Sequence, residues 1–298
     1  MRTSFERDRD RIMHSKAFRR LKHKTQVFVN PEGDHYLTRL THTIQVTQIA
    51  RALAAALSLN ESLAEAIALG HDVGHSPFGH TGEEALSPYF PTTGGWHHAA
   101  QSVRVYEVLE DLNLSWEVYD GIRAHSWKID PPPTTQEGHC VRYADRIAYL
   151  THDALDAMRA GILSENEFPA AIQERFGAAG SAWIGGMIDA VIAGSLAGGE
   201  VRMDEAVLDD MNELRDFMFE RVYLAPAQRE HQRAAIDVIR RLMDHHLSHP
   251  EDLPKSYRDN DADRVVQATD YVAGMTDRFA LRTYEQIFGS IGMDDPSL

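Results

Sequence analysis

The stretch that decides the fold is Leu69-Gly-His-Asp-Val-Gly-His-Ser-Pro-Phe-Gly-His-Thr-Gly-Glu83. It places three histidines and two carboxylates within fifteen residues. The glycines and Pro77 between them prevent a regular helix or strand from burying the whole segment as core. Catalytic chemistry explains this composition better than packing does, and the stretch is predicted to form the floor of an active site.

The residues before this stretch predict a helix that delivers His71 to the interior. Leu63, Ile67 and His71 recur at four-residue spacing, which places them on one helical face. Asp72 follows about 100° further round the helix, so the pair can hold one ion only where the helix ends. An isolated His-Asp pair is more often a capped helix end than a metal site. The metal interpretation therefore depends on further ligands elsewhere in the chain.

Helix-start signals lie on both sides of the stretch. Asn60 or Ser62 is predicted to cap the helix before it. Thr81 and Glu84 have the spacing of a capping box, which predicts a second helix starting there. That start would place the last histidine and glutamate of the stretch at the positive end of the helix.

A first remote ligand candidate lies upstream. Residues 41–57 are strongly helical in pattern, and His42, Val46, Ile49 and Leu53 fall on one face. A lone histidine in such a stripe is more often a core residue with a satisfied hydrogen bond than a ligand. His42 becomes a ligand candidate only in combination with the central stretch.

A second remote candidate lies on a helix predicted over residues 140–161. Asp145, Tyr149 and Asp153 are spaced i, i+4, i+8 and form a polar stripe. A solvated helix face is the ordinary explanation of such a stripe. The tyrosine at its centre and the adjacent Arg146 make a pocket wall an equally good interpretation.

These pieces together supply two imidazoles and two carboxylates, from His42, His71, Asp72 and Asp145. Mixed nitrogen and oxygen donors suit a divalent transition metal, with positions left open for water and a substrate oxygen. The sequence therefore predicts a mononuclear metal centre built from three separate helices.

The composition limits the class of protein. One cysteine, Cys140, excludes an internal disulfide framework and suits a reducing compartment. The start of the chain lacks a signal-peptide core and no apolar run looks long enough to cross a bilayer, so cytoplasm is expected and no membrane partner is predicted. The net charge of −15 argues against a general nucleic-acid binder. Residues 1–24, however, hold nine Lys or Arg against three Asp or Glu, so this basic arm could line an anion site or pair with an acidic neighbour.

The pattern along the chain predicts an all-α fold, because no alternating strand pattern of any length occurs. A short extended piece at 24–29 and a turn at 30–33 are the exceptions. Residues 1–160 are predicted to form a catalytic core with the basic arm, and residues 161–298 a C-terminal helical extension. The predicted helices cover residues 10–24, 41–57, 64–69, 98–109, 112–125, 140–161, 204–223, 226–247 and 262–288, with a helix pair or a mobile segment at 177–199.

The metal-ligand pattern resembles the HD-domain superfamily of metal-dependent phosphohydrolases. The resemblance narrows to the deoxyguanosine triphosphate triphosphohydrolase family and covers almost the whole chain, beginning at Arg2. The motifs that carry it are Phe18-Arg-Arg-Leu-Lys-His-Lys-Thr-Gln-Val-Phe28, Thr38-Arg-Leu-Thr-His42, Gly70-His-Asp-Val-Gly-His-Ser-Pro-Phe-Gly-His-Thr-Gly-Glu83, Ala144-Asp-Arg-Ile-Ala-Tyr149 and Asp270-Tyr-Val-Ala-Gly-Met-Thr-Asp277.

The resemblance implies hydrolysis of a deoxynucleoside triphosphate to deoxynucleoside and inorganic triphosphate. It implies His42, His71, Asp72 and Asp145 as metal ligands, with Mn or Mg as the first choice of ion and Fe, Co, Ni or Zn as others. It implies a homo-oligomer and leaves a nucleotide activator open. For the remaining site residues it implies catalytic roles for His80, Glu83 and His98, phosphate contacts from Arg39, His75 and Arg146, sugar contacts from Gln26, Tyr149 and Asp153, and, by spacing only, substrate contacts from Arg215 and Tyr223.

The chain departs from the family pattern directly after His98. Members of the family usually carry Asn or another polar residue where this chain has Ala99-Ala100, which affects how His98 is oriented. Two alternatives therefore stay open. One is an HD phosphohydrolase for nucleoside monophosphates or signalling nucleotides, and the other is a nucleotide-binding or nucleic-acid-binding regulatory subunit with little turnover.

Overall fold

The computed structural model describes residues 2–26, 37–224 and 229–289. Within these ranges the regular elements are helices, and the only extended pairing is an isolated antiparallel bridge between Thr25 and Thr38. The all-α prediction is confirmed. The predicted turn at residues 30–33 and most of the extended piece at 24–29 lie outside the described residues.

The α-helices are numbered in chain order. They are α1 (Ser4–His14), α2 (Lys16–Arg20), α3 (Arg39–Ala56), α4 (Glu61–Gly70), α5 (Gly79–Leu86), α6 (His98–Arg104), α7 (Trp116–Ala124), α8 (Gln136–Arg159), α9 (Ala170–Phe176), α10 (Ser181–Gly198), α11 (Glu205–Met218), α12 (Arg229–Ser248), α13 (Lys255–Arg258), α14 (Arg264–Ala273) and α15 (Asp277–Phe288). Helices α6 and α11 each continue into one π-helical turn, Val105–Leu109 and Phe219–Tyr223.

Two predicted helices are broken in the structure. The helix expected over residues 10–24 is α1 and α2, because the Ser15 side chain accepts the Phe18 N–H and caps a new start. The helix expected over 262–288 is α14 and α15, separated at Gly274 and restarted by the Thr276 side chain, which accepts the Phe279 N–H. In both places the apolar periodicity continues across the break and hides it.

The chain folds as two compact units, each assembled from three segments. Of the described residues, those within 1–10, 42–71 and 115–228 form the first unit, and those within 11–41, 72–114 and 229–298 form the second. The predicted division into residues 1–160 and 161–298 follows the linear chain and stays a prediction.

In the first unit, α4, α7 and α8 pack on one another. Their contact is tight, since a Cβ added at Gly121 of α7 would lie 2.4 Å from the Cδ1 of Ile67. The N-cap predicted at Asn60 is present, and its side chain accepts the Leu63 N–H at 3.1 Å. This packing fixes the end of α4, where His71 lies.

Helix α10 departs from the expectation that no apolar run could cross a bilayer. By length and composition it is the one described helix that could do so, with Asp189 as its only charge. Trp183, Met187, Val191 and Ser195 recur at four-residue spacing and are buried, and the helix contacts α8 and α9. A single helix of this kind is weak evidence for a membrane span.

In the second unit, α12 is the central helix and packs on α5, α14 and α15. The core includes Phe78, Leu86, Ile239, Leu242 and Val272, all at most 3% exposed. Phe78 is the residue directly before α5, so this core anchors the loop of residues 72–79.

Candidate active site

Three of the four predicted metal ligands converge in the first unit. The Nε2 atoms of His42 and His71 lie 3.1 and 3.8 Å from the same Oδ1 atom of Asp145. The two imidazole rings meet edge to face, with centroids 5.6 Å apart and planes at 61°. Lone pairs lie in the ring plane, so tilted rings can direct two nitrogens at one point. The arrangement could hold one metal ion.

The orientation of His71 supports this assignment. Its Nδ1 lies 2.7 Å from the Ala68 carbonyl oxygen, one turn back at the end of α4. A carbonyl can only accept, so Nδ1 carries the proton and Nε2 keeps the lone pair that a metal needs. A backbone carbonyl behind a histidine is the usual way in which proteins fix this tautomer at metal centres.

The electrostatic environment keeps Asp145 ionised. Burial alone would raise the pKa of its carboxyl group, but the His42 hydrogen bond and electrostatic interactions with His71, His42 and His125 outweigh burial and hold the pKa below its ordinary value. An ionised carboxylate is the form that binds a cation.

His125 is a histidine of this cluster that the sequence reasoning missed. It is buried, and its ring lies 4.9 Å from that of His71 at 76°. Its Nδ1 lies 2.7 Å from the Ile122 carbonyl, the same i−3 arrangement as in His71. The available signal was spacing, since Val118, Ile122 and His125 fall at i, i+4, i+7 on one helical face.

The polar stripe of α8 is not a solvated face, because its Asp153 side chain is buried and hydrogen-bonded to Tyr223. The Tyr223 hydroxyl donates to Asp153 Oδ2 at 2.6 Å, and Asp153 is 3% exposed. Burial raises the pKa of Tyr149 to about 12, so its hydroxyl stays protonated. The pairing of Tyr223 with Asp153 brings the end of the π-helical turn onto α8.

Arg146 is held from two sides in the same unit. Its Nη1 donates to Asn212 at 2.9 Å, and its guanidinium carbon lies 3.9 Å from the centre of the Trp127 ring. Arg215, in contrast, donates to its exposed neighbour Asp216. Arg215 still lies near enough for its charge to help lower the pKa of Arg146, after the larger effect of burial.

The second unit surrounds Asp72 with cationic and imidazole groups. Asp72 Oδ2 accepts from Arg39 Nη1 at 2.6 Å, and both side chains are buried. Asp72 Oδ1 lies 3.3 Å from His75 Nε2 and 3.9 Å from His98 Nε2. The remaining donors of Arg39 reach the carbonyls of Thr25 and Gln26 at 3.3 Å each. Arg39 thus fixes one oxygen of Asp72.

Glu83 contacts the other two predicted catalytic residues, His80 and His98. Its Oε2 lies 3.2 Å from His80 Nδ1 and 3.1 Å from His98 Nδ1, and its Oε1 accepts the His98 N–H at 3.3 Å. Burial would raise the pKa of Glu83, but the charge of His98 and the hydrogen bonds from both histidines hold it well below its usual range. In turn, burial would lower the pKa of His98, but Glu83 raises it. Burial and Arg39 lower the pKa of His75, which stays neutral.

The capping box predicted at Thr81 and Glu84 is wrong. Helix α5 begins at Gly79, and its N-cap is Phe78, which has a φ of 61° and no side-chain cap. The Phe78 N–H is satisfied instead by Asp277 Oδ1 at 3.1 Å, and Asp277 Oδ2 accepts the Thr25 N–H at 2.8 Å. The carboxylate of Asp277, which is distant in sequence, therefore accepts the N–H at the start of α5 in place of a local capping side chain.

Lys24 ties the same loop to the end of α14. It is 2% exposed, and its Nζ donates to the carbonyls of His75 and Ala273. Burial lowers the pKa of Lys24 to about 7. The side-chain oxygen of Gln26 is buried and has no hydrogen-bond partner among the described residues.

The predicted site residues are therefore gathered into two groups. The first unit holds His42, His71, Asp145, Arg146, Tyr149, Asp153, Arg215 and Tyr223, and the second holds Gln26, Arg39, Asp72, His75, His80, Glu83 and His98. The chain passes from one group to the other at the peptide bond between His71 and Asp72.

The family comparisons agree with this architecture. The HD domain matches residues 39–150, and the phosphohydrolase-associated domain matches residues 201–286. The chain is an all-α HD-domain protein, and the buried histidine and aspartate cluster together with this domain supports a metal-dependent hydrolase.

The chain belongs to the deoxyguanosinetriphosphate triphosphohydrolase-like family. It is 47% identical to a deoxyguanosinetriphosphate triphosphohydrolase-like protein of Caldanaerobacter subterraneus, over 97% of this chain and 86% of the relative. A protein of the same name from Clostridium perfringens is 43% identical over 97% of this chain and 87% of its own length. The crystal structure of a hypothetical protein from Aquifex aeolicus aligns with a TM-score of 0.52 at 20% identity, covering 94% of this chain and 71% of that one, which supports the fold.

Proposed function

We propose that the protein hydrolyses deoxynucleoside triphosphates to deoxynucleosides and inorganic triphosphate. The observation that carries this proposal is the approach of His42 Nε2 and His71 Nε2 to one carboxylate oxygen of Asp145. Asp72, which follows His71 in the chain, is the proposed fourth ligand of a divalent cation, with manganese or magnesium as the first choice. When bound, such an ion neutralises phosphate charge and lowers the pKa of water.

The catalytic proposal rests on the hydrogen bonds of Glu83. Water forms a bond to the α-phosphorus while the bond to the 5′-oxygen breaks, and the departing 5′-oxygen takes up the proton that His80 removes from the water. His80, whose side chain is 72% exposed, accepts a proton from the water, and the Glu83 carboxylate stabilises the imidazolium that results. His98, kept protonated by the same carboxylate, offsets negative charge on the phosphate.

Substrate recognition is proposed for the remaining residues. The buried amide oxygen of Gln26 suits the 3′-hydroxyl, and Tyr149 with Asp153 suits the sugar, where a bulky aromatic leaves no room for a 2′-hydroxyl. Arg146 is proposed to contact phosphate directly. Arg39 and His75 are also proposed to contact phosphate, with Arg39 supplying charge while it stays bound to Asp72. Arg215 and Tyr223 remain further proposed contacts.

The wider setting is also proposed. A cytoplasmic homo-oligomer in nucleotide metabolism, with residues 1–160 as catalytic core and residues 161–298 contributing substrate and subunit contacts, is consistent with the family. A nucleotide activator stays open.

Product analysis tests the proposal. Pure protein is incubated with each deoxynucleoside triphosphate singly and in mixtures, with manganese or magnesium, and the phosphate product is identified by ion-exchange chromatography and 31P NMR. Inorganic triphosphate supports the proposal. Orthophosphate or pyrophosphate supports a hydrolase of another nucleotide class, and nucleotide binding without any product supports a regulatory subunit.

A further inference from the structure

His98 is enclosed by two other imidazole rings. His75 stacks on one side, with centroids 3.8 Å apart and planes at 14°. His97 stacks at 4.5 Å and 28°. The edges of the His98 ring are held as well, since Nδ1 meets Glu83 and Nε2 faces Asp72. Two imidazole rings and two carboxylates therefore lie against the His98 ring.

His97 has a second contact that fixes its own position. It is the N-cap of α6, and its Nδ1 accepts the Ala99 N–H at 3.1 Å. The accepting Nδ1 carries no proton, so Nε2 bears it, and this Nε2 lies 3.9 Å from Glu83 Oε1. Histidine is not among the residues preferred at an N-cap. Capping alone thus leaves the choice of this side chain unexplained.

The first two residues after His98 on α6, Ala99 and Ala100, have no polar side chain. The Gln101 side chain donates to Asp270 at 2.8 Å, and the Ser102 hydroxyl accepts the Gly74 N–H at 2.9 Å. His97, the N-cap of α6, stacks its ring on the ring of His98.

A metal site at Glu83, His97 and His98 is a competing explanation, because these ligand atoms lie close together. Ring geometry opposes it. Imidazole lone pairs lie in the ring plane, so the nearly parallel rings of His97 and His98 direct their nitrogens past a common point. His42 and His71, tilted by 61°, do not have this difficulty.

We propose that His97 is a positioning residue for His98. Its ring face holds the His98 imidazole against His75 and toward Glu83, and it takes over the support that Ala99 and Ala100 lack. The consequence for turnover rests on the proposed hydrolysis, whereas the consequence for the ring of His98 does not.

Two substitutions distinguish the contribution of the His97 ring from that of its N-cap hydrogen bond. His97→Asn keeps an N-cap acceptor and removes the ring, and His97→Phe keeps a ring face and removes the acceptor. We expect His97→Asn to lower kcat about tenfold with KM nearly unchanged, because the loss is one of orientation, and to keep the wild-type Tm. We expect His97→Phe to recover kcat to within about threefold of the wild type while Tm falls by a few degrees. The two variants are controls for each other, since each keeps the feature that the other removes.

A spectroscopic measurement makes the result independent of turnover. In protein labelled with 15N-histidine, the proton that His98 Nδ1 shares with Glu83 should resonate far downfield, assigned by its loss in His98→Gln. We expect this signal in the wild type and in His97→Phe, and its loss or broadening in His97→Asn. The positioning role is overturned if the signal is unchanged in His97→Asn, or if the Asn variant turns over at the wild-type rate. Absence of triphosphate release from the wild type, with the NMR pattern as expected, would count against the proposed function alone.

Discussion

At Gly74, adding a single methyl group should reduce turnover far more than it reduces the stability of the fold. A Cβ added there would lie 2.2 Å from the Ser102 nitrogen and 2.4 Å from the His98 carbonyl oxygen. Both atoms belong to the backbone of α6, so no side chain can rotate away. Non-bonded atoms need about 3.5 Å, and α6 must therefore shift by roughly 1 Å in Gly74→Ala.

The expected cost has two parts. Overpacking of this kind costs about 1–3 kcal/mol of unfolding free energy, which lowers Tm by a few degrees in a chain of this size. A displacement of about 1 Å at a catalytic group can cost about 100-fold in rate, equivalent to about 2.7 kcal/mol in the barrier. Because α6 begins with His98, turnover should fall far more than the folded fraction does.

The assay compares Gly74→Ala with Gly185→Ala. Gly185 lies on α10 with nothing within 4 Å of an added Cβ, so the control receives the same methyl group in open space. Unfolding is followed by circular dichroism and turnover by triphosphate release. Retention of more than about a tenth of wild-type kcat by a folded Gly74→Ala protein would refute the proposed link between this contact and the position of His98.

Four further outcomes are expected. His71→Ala should purify without its divalent metal, as measured by elemental analysis, while helical content is kept; a stoichiometric metal in this variant would remove His71 from the ligand set. Glu83→Gln should bind nucleotide with unchanged affinity in calorimetry and slow hydrolysis about 100-fold, whereas unchanged turnover would exclude the carboxylate from the mechanism. Asp270→Ala should lower the unfolding free energy by about 3–5 kcal/mol in urea, because it leaves Arg104 without its buried bidentate partner, while Arg215→Ala, at an exposed pair, should change it by less than about 1 kcal/mol. Chelation should lower Tm, because a metal present at 100 times its Kd contributes about 2.7 kcal/mol to the unfolding free energy. An unchanged Tm argues against a bound ion.

The apolar periodicity of the sequence was sufficient to predict the helices that carry the proposed metal ligands. A four-residue repeat of apolar side chains fixes which face turns inward, so His42 and His71 had to be buried wherever their helices packed. The repeat says nothing about what lies opposite. The grouping with Asp145 was predicted from the ligand types of these side chains and supported by the family motifs, whereas His125, which no motif drew attention to, was missed.

The loop of residues 72–79 shows why the rest could not be predicted. Phe78 has a left-handed φ of 61°, which costs a residue with a side chain about 1–2 kcal/mol. Local rules would place glycine there, yet the Phe78 ring is 3% exposed in the core around α12, and burial of that ring offsets the strain.

The partner of the Phe78 N–H is equally remote, since Asp277 lies 199 residues away along the chain. Lys24 donates to the His75 carbonyl of the same loop and to the carbonyl of Ala273 at the end of α14, which lies 249 residues from Lys24. The loop that carries His75 and leads to His80 therefore owes its shape to groups that meet only after the chain has folded. A change at Asp277 or Lys24 should consequently disturb the candidate site as much as a change within the loop itself.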